Sequence, residues 1–425
     1  MMYTKLKLPY KNSFVDTSIP ARNVSHIFNG KDIAGVEDER EAILNALRNP
    51  IGCTALRDCI HKNDKVVVIV TDNTRPCPDN RIVPVILEEL EEKVPRKNIT
   101  ILVALGLHQP LSFEELTDKL GKDIVENYNV VNHNPDQTVY LGRTSRGTPV
   151  EVNTRLAEAD FRISTGFIES HFFAGFSGGR KSIAPGVSSS RSIRKNHSYQ
   201  MIEHPCARAG ILEGNPVHED MVEQARMAKL DFIVNVLLNR NQEITHVMAG
   251  DPVLAHERGC QLERDIVQVK VERKVDITIT TNGGAPLDLD FYQTCKGIDT
   301  ASQITRDGGI IIIASSCDRG VGPKEFLALH SSSKSPEEVL QKIRRSNTEG
   351  VCWQNQILAR AQLNHDIYLL STLDDITVKQ MMVTPIRTIQ EGLEKAFQTL
   401  GADSQIAVIP RGPLILPLVE TGSHP

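Results

Sequence analysis

Short β-branched and aliphatic runs recur along the chain: KVVVIV (65–70), ITILVAL (99–105), FRIST (161–165), FIVNVLL (232–238), VDITIT (275–280), GIIIIAS (309–315), DIYLLST (366–372) and IAVIP (406–410). Strands covered on both faces read this way, and the stretches between them are long enough for helical crossovers. Helical patterns fit residues 79–92, 216–228 and 336–346. The expected fold is therefore α/β, with two domains of mainly parallel sheet flanked by helices and the active site in the crevice between the domains. Two domains follow from length, because 425 residues exceed the roughly 250–300 at which a single core stops growing. The charged segment 257–273 has no strong apolar run and marks the junction. This gives an N-terminal α/β domain over 1–268, to which 406–425 returns, and a C-terminal α/β domain over 269–405.

Four of the runs end in polar, Gly- or Pro-rich turns: TDNTRP (71–76), GLHQP (106–110), GFIESH (166–171) and TNGGAP (281–286). In open α/β sheets ligands bind beyond the carboxyl ends of the strands, so chemistry is expected on these turns. TDNTRP brings Asp72 and Arg75 together. Asp72 can cap the following helix with Arg75 as its partner, or Arg75 can offer its guanidinium fork to a carboxylate or phosphate. His108 follows a strand and a glycine, where a loop role is the commoner one.

The stretch GFSGGRKS (175–182) nearly spells a P-loop, but Arg180 stands where the second glycine of G-x-x-x-x-G-K-[ST] is required. That argues against a nucleoside triphosphatase. Ser177, Gly178 and Gly179 can still form an N–H-rich turn, with a following helix aiming its positive end at an anion. His171 lies ten positions before Lys181, and His197 sixteen after it. These spacings match no zinc motif such as H-E-x-x-H. Two of the three histidines can serve as opposed acid and base near neutral pH, leaving the third to bind a metal or nothing. In the second half, one turn of helix would put Gln293 and Lys296 on one face beside Tyr292, where Lys296 can neutralise a carboxylate or simply be a solvated surface lysine.

Composition narrows the partners. Hydrophobic residues at 40% and charged residues at 24% are those of a globular chain, not a disordered or fibrous one. A net charge of -5 gives no electrostatic case for nucleic acid or an anionic membrane surface. No apolar run approaches the ~20 residues of a membrane span, and the N-terminus lacks the order of a signal peptide. Eight scattered cysteines form no C-x-x-C pair. A cytoplasmic protein with reduced thiols is expected.

D-x-T-R-P, G-L-H, E-S-H-F-F-A-G-F-S-G-G-R-K-S, N-H-S, N-G-G-A-P-L-D and Y-Q-T-C-K-G occur in this order between about residues 60 and 300. Together they resemble the nickel-dependent lactate racemase family. The resemblance implies a nickel-pincer nucleotide, a pyridinium-3,5-bisthiocarboxylic acid mononucleotide whose ring carbon and two sulfurs hold nickel. By that resemblance Lys181 is the lysine able to tether the cofactor through a thioamide, and His197 completes the nickel coordination. Ser177, Gly178 and Gly179 would receive its single phosphate, and Asp72 and Arg75 would also face the cofactor. His108 and His171 would be the acid/base pair on the two faces of the substrate. Arg75 and Lys296 would hold its carboxylate and polarise the reacting oxygen, with Asp72 and Gln293 orienting the site and Tyr292 and Trp353 closing around it.

The implied reaction is racemisation or epimerisation of a 2-hydroxy acid, lactate or a related acid such as malate, through a 2-keto acid formed by hydride transfer to the cofactor. Removing the α-hydrogen as hydride avoids building a second negative charge beside the carboxylate. Proteins that build the cofactor would be needed for maturation. One departure is Ala174, three positions after His171, where the lactate enzyme of this pattern carries serine, so the pocket and substrate can differ. Two other readings compete: a zinc-dependent hydrolase using His108, His171 and His197, and a non-catalytic protein that binds a small anion.

Overall fold

Val66–Thr71 becomes a strand near the centre of a six-stranded sheet because both its faces are covered: residues 66–70 are at most 3% exposed. The computed structural model describes residues 2–345 and 353–420. The sheet runs in the order Ile244–Gly250, Phe232–Leu238, Phe161–Phe167, Val66–Thr71, Ile99–Ala104 and Asn129–Asn132. All neighbours are parallel except the first pair. This sheet belongs to a unit made of Asp32–His197 and Met201–Ile266.

A second unit comprises Met1–Lys31, Ser198–Gln200 and Val267–Pro425, described to residue 420. Its six strands are all parallel, in the order Thr384–Ile386, His365–Leu370, Thr305–Ala314, Val275–Thr281, Ile406–Ile409 and Val24–Ile27. The isoleucine run shows how the sheet is clad. Ile310 and Ile312 join one core cluster with Leu393 and Ala396, whereas Ile311 and Ile313 join another with Phe291, Ile298, Phe326 and Leu358. Period-two alternation thus sends successive isoleucines to opposite layers of helix. Each such burial contributes about 1.5–3 kcal/mol.

All eight apolar runs lie in strands, and the three helical patterns appear as Asp79–Glu91, Pro216–Met227 and Pro336–Arg345. The domain assignment needs correction. Residues 406–420 do not return to the N-terminal domain: Ile406–Ile409 pairs with Val275–Thr281 inside the second sheet. It is the N-terminus that crosses over, because Val24–Ile27 covers the other side of Ile406–Ile409, which would otherwise be an open edge. The charged segment over 257–273 is an amphipathic helix, Leu254–Val267, followed by the short strand Gln268–Val271. No helix among the described residues is long and apolar enough to cross a membrane.

Candidate active site

The loop after Val66–Thr71 turns at once, with the Arg75 N–H donating to the Asp72 carbonyl (3.3 Å). Asp72 is 3% exposed, and its Oδ1 accepts from the Thr74 N–H (3.1 Å) and hydroxyl (2.6 Å). Its Oδ2 lies 2.5 Å from Nδ1 of the half-exposed His108. Burial pushes the Asp72 carboxyl up, but His108, Arg75 and Thr74 outweigh it and hold the group below its usual value. An ionised Asp72 accepts the Nδ1–H of His108 and leaves the Nε2 lone pair outward, the form a general base needs. The sequence placed Asp72 and Arg75 on one strand end and His108 on another, and the structure joins the two. The adjacent pairing of Val66–Thr71 with Ile99–Ala104 brings the two turns side by side.

His171 sits on a two-residue ladder, Ser170–His171 against Gly175–Phe176. The Ala174 N–H donates to His171 Nδ1 (3.3 Å), so in the neutral ring the hydrogen is on Nε2. That Nε2 lies 3.2 Å from Lys181 Nζ. Phe173, 2% exposed, packs edge-on to His171 at 4.6 Å and to His197 at 5.1 Å between ring centroids, with Lys181 Nζ 5.8 Å from its own centroid. Phe173 is thus the apolar pivot of these three residues, and the sequence reading passed over it. His197 follows helix Ser190–Asn196 and is 9% exposed. Burial, and then the charge of Lys181, push it down to about 3, so its imidazole stays neutral. The His108 turn is linked to the same segment by the Gly106 N–H, which donates to the Gly186 carbonyl (2.8 Å).

The glycine stretch departs from expectation. The Ser177 N–H donates to the Glu169 carbonyl, and the Gly179 N–H to Asn235 Oδ1 at 2.7 Å. The Ser177 hydroxyl donates to the Phe167 carbonyl and accepts from the Glu169 N–H. Gly178, at φ 76°, has Asn235 Oδ1 2.7 Å from where a Cβ would stand. The Ser177 and Gly179 donors, expected to receive a phosphate, are thus engaged inside the fold. The helix after them is only a four-residue 3-10 turn, Gly179–Ser182, with no macrodipole to offer.

Arg180, the residue that breaks the P-loop pattern, is 2% exposed and donates to the carbonyls of Ala174 (2.7 Å), Gly178 (3.2 Å) and Ser177 (3.4 Å), with His256 Nε2 at 2.8 Å. It fastens both limbs of the loop that carries His171 and Lys181. Its arginine identity was visible in the sequence; its carbonyl partners were not.

In the second unit, Phe291–Ile304 is a helix capped by Asp290, whose side chain accepts from the Gln293 N–H (2.7 Å). Gln293 and Lys296, both partly exposed, lie one turn apart on it, as the spacing required. Gln354 donates to the Tyr292 carbonyl (2.7 Å), which brings the start of helix Trp353–Gln362, and with it the half-buried Trp353, beside Tyr292. Among the described residues no three His, Cys, Asp or Glu side chains converge as a metal cage, so the three-histidine zinc reading has no geometric basis.

Comparison with known proteins places the whole chain. The lactate racemase N-terminal domain family matches residues 10–210, and the lactate racemase C-terminal domain family matches residues 270–416. A lactate racemase of Thermoanaerobacterium thermosaccharolyticum is 38% identical over 418 residues, covering 96% of this chain and 97% of the relative. One from Lactiplantibacillus plantarum is 39% identical over 381 residues, covering 88% and 90%. The structure of the lactate racemase apoprotein from T. thermosaccharolyticum superposes with a TM-score of 0.94 at 37% identity, covering 98% of this chain and all of that one. With both domain families matched in order and relatives aligned over almost the whole length, the chain belongs to the lactate racemase family.

Proposed function

We propose that the protein interconverts the enantiomers of a 2-hydroxy acid, lactate or a close relative such as malate. The observation that carries this is that each of its two histidines is held at Nδ1, His108 by the Asp72 carboxylate and His171 by the Ala174 N–H. His108, held through Nδ1 by Asp72, presents a proton-accepting Nε2; His171, whose Nδ1 accepts from the Ala174 N–H, is neutral here and acts as an acid once it has taken up a second proton. Neutral His108 takes the hydroxyl proton of one enantiomer, and His171, in its imidazolium form, returns one to the 2-keto acid to give the other, which leaves His108 protonated and His171 neutral. After each conversion the two rings have exchanged roles, so the reverse reaction starts equally prepared. Arg75 binds the carboxylate with its fork, and Lys296 and Gln293 hold and polarise the reacting oxygen, with Tyr292 and Trp353 as apolar walls.

The cofactor in this reading is a nickel-pincer nucleotide, built by separate maturation proteins. When bound, it would supply the acceptor and donor of the hydride. The residues fit its metal end. His197, whose imidazole burial keeps neutral, would be one nitrogen donor to its metal. Lys181 is the residue for the tether: its Nζ lies 3.2 Å from His171 Nε2, beside one of the two histidines of this reading. A phosphate would need donors other than those of Ser177 and Gly179. A cytoplasmic site of action is consistent with the seven described cysteines being unpaired.

The test is to produce the protein with nickel and the cofactor-building machinery, confirm the metal, and follow single enantiomers of lactate, malate and longer 2-hydroxy acids by chiral chromatography. Appearance of the mirror image is expected from at least one. If the loaded protein leaves every acid unchanged yet binds one, the anion-binding reading replaces this one.

A further inference from the structure

Lys119, on helix Phe113–Leu120, plays no part in the chemistry above, yet all three hydrogens of its ammonium have acceptors on or beside the Arg75 loop. Nζ donates to the Cys77 carbonyl (2.8 Å) and the Arg75 carbonyl (3.2 Å), and pairs with Asp79 Oδ2 at 3.0 Å. The Lys119 side chain is 8% exposed and that of Asp79 is fully buried. The loop needs such a donor, because it reads R-P-C-P-D and neither Pro76 nor Pro78 has an N–H. The Cys77 carbonyl also accepts from the Asp79 N–H (2.9 Å), so Lys119 adds a second donor there and supplies one to the Arg75 carbonyl.

Asp79 in turn accepts from Thr71 at the end of one central strand (2.7 Å) and from Thr165 on its neighbour (2.5 Å). The chain of contacts therefore runs from the carboxyl ends of two strands, through Asp79 and Lys119, to the backbone of Arg75. The helix that carries Lys119 also begins five residues after His108, and its Glu115 accepts from Asn73 (2.9 Å) on the same loop.

We infer that Lys119 is a positioning residue for Arg75: it fixes the backbone from which the guanidinium meets the substrate carboxylate. This rests on the reading that Arg75 binds that carboxylate. Replacement leaves a specific vacancy, because Lys119 lines a cavity of about 500 Å³ together with Arg75 and Arg81, through which a small amine can reach the gap.

The experiment uses the cofactor-loaded full chain with lactate as probe. Lys119→Ala is expected to raise KM about tenfold or more with a smaller change in kcat. Added propylammonium, which replaces the missing carbons and ammonium, should restore KM, whereas propanol should not. Arg75→Lys should raise KM without any response to the amine, and the double variant should be no worse than Arg75→Lys alone, since residues acting through one another are not additive. If Lys119→Ala does not fold, Lys119→Gln paired with Asp79→Asn removes the charges together and takes its place in the same cycle. An unchanged KM in the Lys119 variant, or effects that multiply in the double variant, overturns the inference while leaving the role of Arg75 intact. An Arg75→Lys variant with normal KM overturns that role and this inference with it.

Discussion

At the scale of single residues, the two histidines are told apart by what each Nδ1 touches. Neither tautomer is written in the sequence, because G-L-H and E-S-H say nothing of an aspartate thirty-six residues away or a backbone N–H three residues on. Asp72→Asn would remove the acceptor that keeps hydrogen on His108 Nδ1, and interconversion should fall by roughly 10²–10⁴-fold, the usual range for positioned proton transfer. Cofactor loading, read as nickel per chain, should be unchanged. His108→Ala and His171→Ala should each abolish interconversion while retaining nickel, and full activity in either variant would sink the two-histidine mechanism. Lys181→Ala should instead lower the nickel that survives gel filtration.

At the scale of elements, the loop spanning residues 171–183 holds its functional residues by what lies beneath it. Gly179 has φ 52°, and His256 Cγ stands 2.7 Å from where its Cβ would be; Gly178 is similarly confined by Asn235 and Ile168. Gly179→Ala should therefore destabilise by more than about 2 kcal/mol, by combining backbone strain with overpacking, and urea unfolding would measure it. A midpoint equal to the parent's would mean the loop relaxes freely. The sequence displayed these glycines plainly but not the packing they permit. Glycine here allows close packing of Asn235 and His256 on the loop, which a local motif cannot distinguish from close approach of a phosphate. By contrast, helix Phe291–Ile304 was legible, since the placement of Gln293 and Lys296 depends only on the helical repeat.

At the scale of the whole molecule, several histidines are buried and neutral. Burial, and then the charge of Arg180, push His218 down to about 3, and burial pushes His330 down to about 4. Their folded values lie below the unfolded ~6.5, so the stability they contribute is complete above that pH and is lost as pH falls through the folded values. Lowering a pKa by one corresponds to about 1.4 kcal/mol, which makes the combined loss by pH 4 several kcal/mol. The urea midpoint should begin to fall near pH 6.5, before ordinary carboxylates titrate; a midpoint flat from pH 7 to 5 would contradict this. The amino-acid sequence by itself determined the α/β class, the eight buried strands and the loops that bear the chemistry, because hydrophobic periodicity and turn residues act over a few positions. Tertiary structure alone decided that Val24–Ile27 completes the second sheet, that Asp72 meets His108, that Phe173 gathers His171, Lys181 and His197, and that Arg180 and Lys119 bind loop carbonyls. Each is a pairing between segments whose meeting depends on strand order and packing, which no short stretch of sequence encodes.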